Sequence, residues 1–506
     1  MALTGAFSAS PIATSDEYAR AATIRVLAAA AVALALAVGY AIAIIATNGA
    51  AVLLAPIVGI FVVIAVVHRP VIGAYLTIGS AILFEQYEIN GVYPLTAQVH
   101  FFQNLSAFTP IPIRLSLSDL LMLLTLASML VRQALGTRPP LRMGPFGGAV
   151  KGFAAMCVFA IVIGLLRGPG WDIDAALQEM RGASQMLLAY FLAVNLIRTR
   201  WQVNAVAWVL VLFVGVKGVQ AILNWQSAQS VGIDLDAVTG HEDVIFFDVA
   251  FAILAVMLVT GVRSRLTIAL LLITPVLVTA ELLTERRVAF VALGTVLAAV
   301  GLLSLASNPR RGLVFAAVTA LSLGAYLAVF WDDSGPLGQP ARAVRGVIEP
   351  SSLSGRDTLS NHWRDIENRN IAFTVQQLPV TGVGIGQQYL FREEPPPLGP
   401  PKFFYWKNFT HNAALWPWLK AGIFGAFALW FLVARVILLG SAMYARLRDV
   451  DLRWVAAVPV AIVIVWITYA GVEPAFTNSR TLIALGVLLA FTAPLAHAAR
   501  AVTEAS

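Results

Sequence analysis

His411 and a set of arginines at the ends of apolar runs are the residues of this chain best suited to chemistry. His411 and Asn412 close a polar segment and open a long apolar stretch, HNAALWPWLKAGIFG. At the N-terminal end of a helix, free N–H groups and the dipole favour anions, which suits the imidazole to act as a neutral general base. Asn412 is placed to orient the ring or to cap the helix. Arg181 and the adjacent pair Arg286 and Arg287 lie at the mouths of apolar runs; Arg356 and Arg364 lie in the polar segment. Guanidiniums grip phosphate oxygens in bidentate geometry, so a diphosphate is an attractive partner. For each arginine alone, snorkelling to lipid headgroups is the plainer role. His241 and Glu242 open another apolar run and are candidate supporting groups. Asp357, Asp365, Glu367, Glu393 and Glu394 can bind hydroxyls or pair with an arginine, although a solvated or structural role is the default for each.

These residues must be held by an unusual scaffold. Hydrophobic residues make up 59% of the chain and charged residues 12%, against roughly 25% charged in soluble domains. Apolar runs near the length needed to cross a ~30 Å hydrocarbon core recur throughout. The expected class is an all-α polytopic membrane protein; a β-barrel would show short alternating segments instead. About 14 spans are expected, near 24–46, 51–67, 70–85, 116–134, 148–166, 183–198, 203–223, 245–262, 266–283, 288–306, 313–331, 412–440, 454–470 and 481–498. The single cysteine, Cys157, excludes an intramolecular disulfide. No HExxH or paired His/Cys spacing occurs, so no metal site and no cofactor are expected. The net charge of +7 fits a positive-inside bias better than a nucleic-acid partner. No cleavable signal peptide is expected, because residues 1–20 are polar and lead into a full-length span.

Arginine placement sets the expected topology. With the N-terminus in the cytoplasm, short connections holding Arg132, Arg142, Arg198, Arg200, Arg263, Arg265, Arg310, Arg311, Arg446 and Arg453 lie inside, and both termini are cytoplasmic. His411, Arg181, Arg286, Arg287 and Arg480 then lie on the outer face, each of the four arginines at the mouth of a span, where snorkelling to lipid headgroups is the plainer role. The organisation is an N-terminal bundle (1–331), a large outer loop (332–411) and C-terminal spans (412–506). Within the loop, Ser354 and Asp357 have capping-box spacing, and Trp363, Ile366, Ile371, Val375 and Leu378 recur at helical spacing before Pro379. An amphipathic helix near 355–378 follows. Gly382, Gly384 and Gly386 then permit tight turns and close backbone approach, without the spacing of a dinucleotide fingerprint. The aromatics Phe403 to Trp406 and Phe409 suit an interfacial belt or, less commonly, sugar stacking.

The chain resembles the O-antigen ligase and O-antigen polymerase superfamily of bacterial envelope glycosyltransferases. The run P-V-T-G-V-G-I-G, followed by H-N-A-A-L-W-P-W-L-K-A-G-I-F-G, is similar to the family's P-x-x-G-x-G and H-N-x-x-L-x-x-x-x-x-G-x-x-G, matching at His411, Asn412, Leu415, Gly422 and Gly425. T-E-R-R-V-A-F-V-A-L resembles the family's S-R-G-A-x-x-A-L and places Arg287 at the motif arginine, with Arg286 where the family has serine. R-G-A-S-Q-M-L-L-A-Y-F-L-A-V-N-L looks like the segment after an outer-face arginine, here Arg181. G-R-D-T-L-S-N-H-W-R-D-I-E-N is similar to the family's loop helix, with Arg356 or Arg364 at its arginine position.

The resemblance implies a GT-C-like, metal-independent enzyme of the bacterial inner membrane, using an undecaprenyl-diphosphate-linked glycan donor. His411 would be the catalytic histidine, and Arg181 and Arg287 would hold the diphosphate. The acceptor would be lipid A-core for a ligase or another repeat unit for a polymerase; ligase is slightly favoured by the late position of the loop. A different class, a lipid-linked glycan transporter, should show charged residues deep in spans or broken helices. By sequence the span interiors look nearly free of charge, which favours catalysis.

Overall fold

In the computed structural model the described residues are 54–87, 94–109, 112–137, 139–232, 235, 237–349, 355–396, 405–447 and 449–495. The expected span 24–46 lies outside them, as do Ser354 and the side chain of Asp357. Residues 1–68 form one unit, in which α1 (Leu54–His68) is described, and residues 69–506 form a second. The second unit runs through α2 (Pro70–Leu83), α3 (Leu117–Ala134), α4 (Gly147–Leu166), α5 (Ile173–Leu196), α6 (Arg200–Ser230), α7 (Asp243–Thr260) and α8 (Arg265–Leu283). It continues through α9 (Arg287–Ser307), α10 (Pro309–Phe330), α11 (Gln339–Ile348), α12 (Gly355–Gln377), α13 (Trp416–Arg446), α14 (Val450–Ala470) and α15 (Ser479–Leu489).

Among the described residues every regular element is helical, and nine helices are long and apolar enough to cross a membrane: α3, α4, α6 to α10, α13 and α14. The chain is an all-helical, multi-pass membrane protein. α1, α2 and α15 are shorter apolar helices. The helix covering the expected span 183–198 is α5, which starts earlier, at Ile173, where Asp172 caps the N–H groups of Asp174 and Ala175. Ser116 and Thr199 start α3 and α6 with capping boxes, and Gly261 ends α7 in the left-handed conformation. α7 is buried along almost its whole length, whereas α10 buries only Gly312 and exposes Leu313, Val318 and Leu321. In a membrane protein that contrast separates a central helix from a lipid-facing one.

The helices of the second unit turn at two ends. At one, the short connections are rich in arginine: Arg311 donates to the Thr260 carbonyl, Arg453 to Leu447, Arg198 to Asn195, and Arg200 pairs with Asp449. At the other lie the longer polar segments that hold His411, His241, Arg286 and Glu473.

Here the structure corrects two sequence expectations. Arg480 does not snorkel. It is fully buried and ion-pairs with Glu242 at 2.8 Å and with Asp243, while donating to the carbonyls of Ala81 and Ile82. Lys217 is equally buried and pairs with Glu85 and Asp243. The span interiors are therefore not nearly free of charge. Lys217, Asp248, Glu281 and Lys420 are all buried within expected spans. The cause is long-range pairing: a charge can enter the bundle when helices far apart in sequence bring its counter-ion.

The break in α13 fixes the site from below. Gly422 takes φ +59°, ψ −146°, so the helix is interrupted after its second turn. The carbonyls of Leu419 and Lys420 accept instead from the N–H groups of Val383 and Gly384, and Ile423 N–H donates to Pro379. The glycine run thus lies against the broken helix. On its other side, Ile385 N–H donates to Ala160 and Asp172 N–H to Gly386. A Cβ on Gly384, at φ +90°, would meet the backbone of Gly164 in α4. Buried Lys420 ion-pairs with Glu179 at 2.5 Å and donates to the Gln387 carbonyl, and Glu179 accepts from Gly386 N–H at 2.7 Å. The Leu419 and Lys420 carbonyls and the Ile423 N–H thus find partners outside the helix, as burial requires.

Arg480→Met should be severely destabilising, because it leaves Glu242 buried and unpaired and Asp243 with Lys217 as its remaining counter-ion, at a cost of about 3–5 kcal/mol. Thermal unfolding in detergent measures it; an unchanged midpoint would contradict the buried network. Burial pushes the Glu242 carboxyl up, but Arg480 outweighs that and holds it below the ordinary value of 4.5. Its contribution is present above that value and is lost as the pH falls through the lower folded one. Wild-type protein should therefore lose stability on acidification below pH 4.5 more steeply than Glu242→Gln.

Candidate functional site

α12 spans Gly355–Gln377, where the sequence predicts a helix at 355–378. Its buried face carries Trp363, Ile366, Glu367, Asn370, Ile371 and Thr374. Asn370 and Thr374 lock the returning chain onto this face. The Asn370 Oδ1 accepts from the N–H groups of Arg392 and Glu393, and Thr374 Oγ1 donates to the Leu390 carbonyl. The same face reaches His411. Glu367 is 1% exposed, and its two carboxylate oxygens accept from His411 N–H at 2.9 Å and from the ring Nδ1 at 3.3 Å. A carboxylate only accepts here, so Nδ1 carries a hydrogen, and in the neutral ring Nε2 then keeps its lone pair. Trp363 stands edge-on to the ring, with centroids 4.8 Å apart. The imidazole is thus oriented on two sides and remains 34% exposed. That is the constellation of a positioned base with its orienting partner.

His411 does not sit at the first turn of a helix. α13 begins at Trp416, and residues 413–415 form turns with Leu415 N–H donating to the Asn412 carbonyl. Nor does Asn412 orient the ring: its side-chain amide donates to Asn368 at 3.3 Å, and Glu367 takes the orienting role.

The turn after α14 joins this histidine to the arginines. Ala414 N–H donates to the Ala470 carbonyl, and Arg364 pairs with Glu473 at 3.6 Å. At the start of the same turn, Tyr469 hydroxyl donates to the His241 carbonyl at 2.8 Å, and the Arg286 guanidinium contacts the His241 ring. His411, Asn412, Arg364, His241 and Arg286 therefore share one end of the bundle, linked through residues 469–473. Glu285, in the turn between α8 and α9, takes φ +54°, which directs the chain abruptly from Glu281 to Arg287.

The other expected site residues are placed differently. Arg181 pairs with Asp119 at 2.6 Å, with both side chains mostly buried, and Gln185 donates to the same carboxylate. Its neighbour Gly182 is close to the Phe476 carbonyl, so this pair lies beside the turn that follows Glu473. Glu242 is the counter-ion of Arg480 and holds the bundle together rather than facing the cleft. Arg287 opens α9 next to Arg286. Arg356 lies in the first turn of α12, and its side chain is outside the described residues.

Beside His411 is a cleft of about 270 Å³, lined on the α12 side by Asn361, Arg364, Asp365, Glu367 and Asn368, and closed by Asn412 and the turn at Gly471 and Val472. The aromatics near it pack mainly on each other: Trp406 against Trp363 and Phe391, with Lys407 over both Trp406 and Phe391.

Sequence reasoning missed the roles of Glu367, Glu179, Lys420 and Tyr469. Two of these left a signal. Glu367 follows Trp363 by one helical turn on an otherwise apolar face, and Lys420 is a cation inside an apolar run, which demands a buried partner.

Glu367→Ala should free the His411 ring, and modification of His411 by diethylpyrocarbonate should become several-fold faster while the helical content is unchanged. An unaltered rate would show that Glu367 does not constrain the ring. No protein-family model matches the chain, and no curated protein matches it.

Proposed function

We propose that the chain is a membrane glycosyltransferase, O-antigen ligase-like, that moves a glycan from an undecaprenyl-diphosphate-linked donor to an acceptor hydroxyl at the outer face of the bacterial inner membrane. The observation that carries this is the Glu367-oriented, part-exposed His411 beside a polar cleft, on the same end of the bundle as Arg286 and Arg287.

In this reaction Nε2 of His411 accepts the proton of the acceptor hydroxyl. The oxygen attacks the anomeric carbon, the new C–O bond forms, and the bond to the diphosphate oxygen breaks with its electron pair on the leaving group. A single in-line displacement inverts the anomeric centre. Arginines neutralise the charge that develops on the diphosphate, which is where preorganised electrostatics contributes most. Arg286 and Arg287 suit that role by position. Arg181 already has Asp119 as partner, so it would have to share its guanidinium or hold the local structure. A polymerase, in which the acceptor is another lipid-linked repeat unit, uses the same residues.

A lipid-linked glycan transporter is the alternative from another class. It is favoured by the interruption of α13 at Gly422 and by Asp248 and Glu281, which are buried with no ion pair among the described residues. Against it, the charges at the helix break are closed on each other through Lys420 and Glu179.

Purified wild-type protein given undecaprenyl-diphosphate-linked glycan and candidate acceptors, with a chelator present, should release undecaprenyl diphosphate and glycosylate one acceptor. His411→Ala should lose about 10²–10⁴ of that rate, and Arg286→Ala and Arg287→Ala should raise the donor KM. Normal turnover by His411→Ala would refute the proposal. Flux of labelled donor across liposomes without product would favour the transporter.

A further inference from the structure

The cleft beside His411 has a chemistry of its own. Asn361, Asn368 and Asn412 contribute amides, and Asp365 and Glu367 contribute carboxylates. Among the described residues the one cation lining it, Arg364, is already paired with Glu473. A phosphate or diphosphate entering here would meet more carboxylate than uncompensated guanidinium. Two buried atoms of the lining lack a hydrogen-bond partner, the donor Arg364 Nε and the acceptor Asn412 Oδ1. A hydroxyl group both donates and accepts, so a polyol satisfies both kinds of atom at once. At about 270 Å³ the cleft lies just below the ~300–1,000 Å³ typical of small-molecule pockets, enough for one ring rather than a chain. Among the described residues no aromatic ring lines the cleft, so recognition within it comes from hydrogen bonds.

We infer that this cleft is the acceptor subsite, and that it binds a single uncharged pyranose ring through its hydroxyls, with the diphosphate of the donor held outside it at Arg286. The inference rests on the transferase reading and adds to it the class of the accepting sugar. Asn361, Asn368 and Asp365 are specificity-determining residues. His411 is bonded to Glu367 and precedes Asn412, both of which line the cleft, and it takes the proton of the hydroxyl that reacts. A sugar bearing a phosphate or carboxylate is rejected by Asp365 and Glu367.

The test uses the full chain in nanodiscs and a panel of methyl hexopyranosides, each compared with the corresponding hexose 6-phosphate, by saturation-transfer NMR. Wild type should bind one or more neutral glycosides and none of the phosphates. Asn361→Ala and Asn368→Ala should each weaken that binding, and raise the acceptor KM at constant donor KM, by about fivefold, the loss of one hydrogen bond. Both positions are part-exposed, so these variants should fold; Asn368→Asp serves as a second variant that keeps the size of the side chain. Failure of every neutral glycoside to bind, equal binding by the alanine variants, or preference for the phosphates would overturn the inference. The two levels separate cleanly. Diphosphate release that needs His411 but is indifferent to Asn361 and Asn368 sinks the cleft alone. Glycoside binding that needs those asparagines, without any His411-dependent release, sinks the transferase alone.

Discussion

The interruption of α13 at Gly422 is the constraint on which the site depends. A continuous helix would satisfy its own carbonyls and leave the Pro379–Gln387 segment nowhere to bond. Because Gly422 leaves helical geometry, Leu419 and Lys420 present free carbonyls, and the glycine run supplies the N–H groups. Close packing against α4 requires Gly384 to lack a side chain. The Glu179–Lys420 pair closes the junction electrostatically, reaching from α5 across to α13. The segments on both sides of the glycine run are thereby anchored. α12 precedes it, and the chain that follows returns to α12 through Asn370 and Thr374. His411 and its partner Glu367 come from those two anchored segments, so their contact depends on a join made deeper in the bundle.

Above that join two groups of residues meet the turn after α14. One is amide and carboxylate, with Arg364 compensated by Glu473; the other is Arg286 against His241. The proposed displacement at an anomeric carbon would use this difference, because a neutral hydroxyl must approach as a diphosphate departs with added negative charge. The buried Arg480 network joins the Arg286 group through Glu242, the residue next to His241. Its role is to hold α7, α15 and the end of α2 together, so that the loop carrying His241 has a fixed base.

Much of this was legible in the sequence. Hydropathy gave the helical membrane class, and the apolar spacing from Trp363 to Leu378 gave α12. His411, Gly422 and Gly425 stood out by type and spacing, and the structure gives a reason for each glycine: Gly422 breaks the helix, and a Cβ at Gly425 would meet the Pro417 carbonyl left by the break. What could not be read was pairing. Glu367 looks like one acid among five in a polar loop until α12 folds over residue 411. Lys420 and Glu179, or Arg480 and Asp243, are hundreds of residues apart, and periodicity carries no information about which helices meet. For the same reason Arg480 looked like a lipid-facing residue and the spans looked uncharged. The position of His411 was misjudged by one turn, since an apolar run does not reveal that Pro417 and the turns at 413–415 delay the helix to Trp416.

The most direct test of this division of the site is a cryo-electron microscopy structure of the protein with undecaprenyl diphosphate bound. The expected density places the diphosphate against Arg286 and Arg287, outside the cleft lined by Asn361 and Asn368. Diphosphate density within the cleft lined by Asn361, Asp365 and Asn368, or at the arginine-rich opposite end of the bundle, would contradict it.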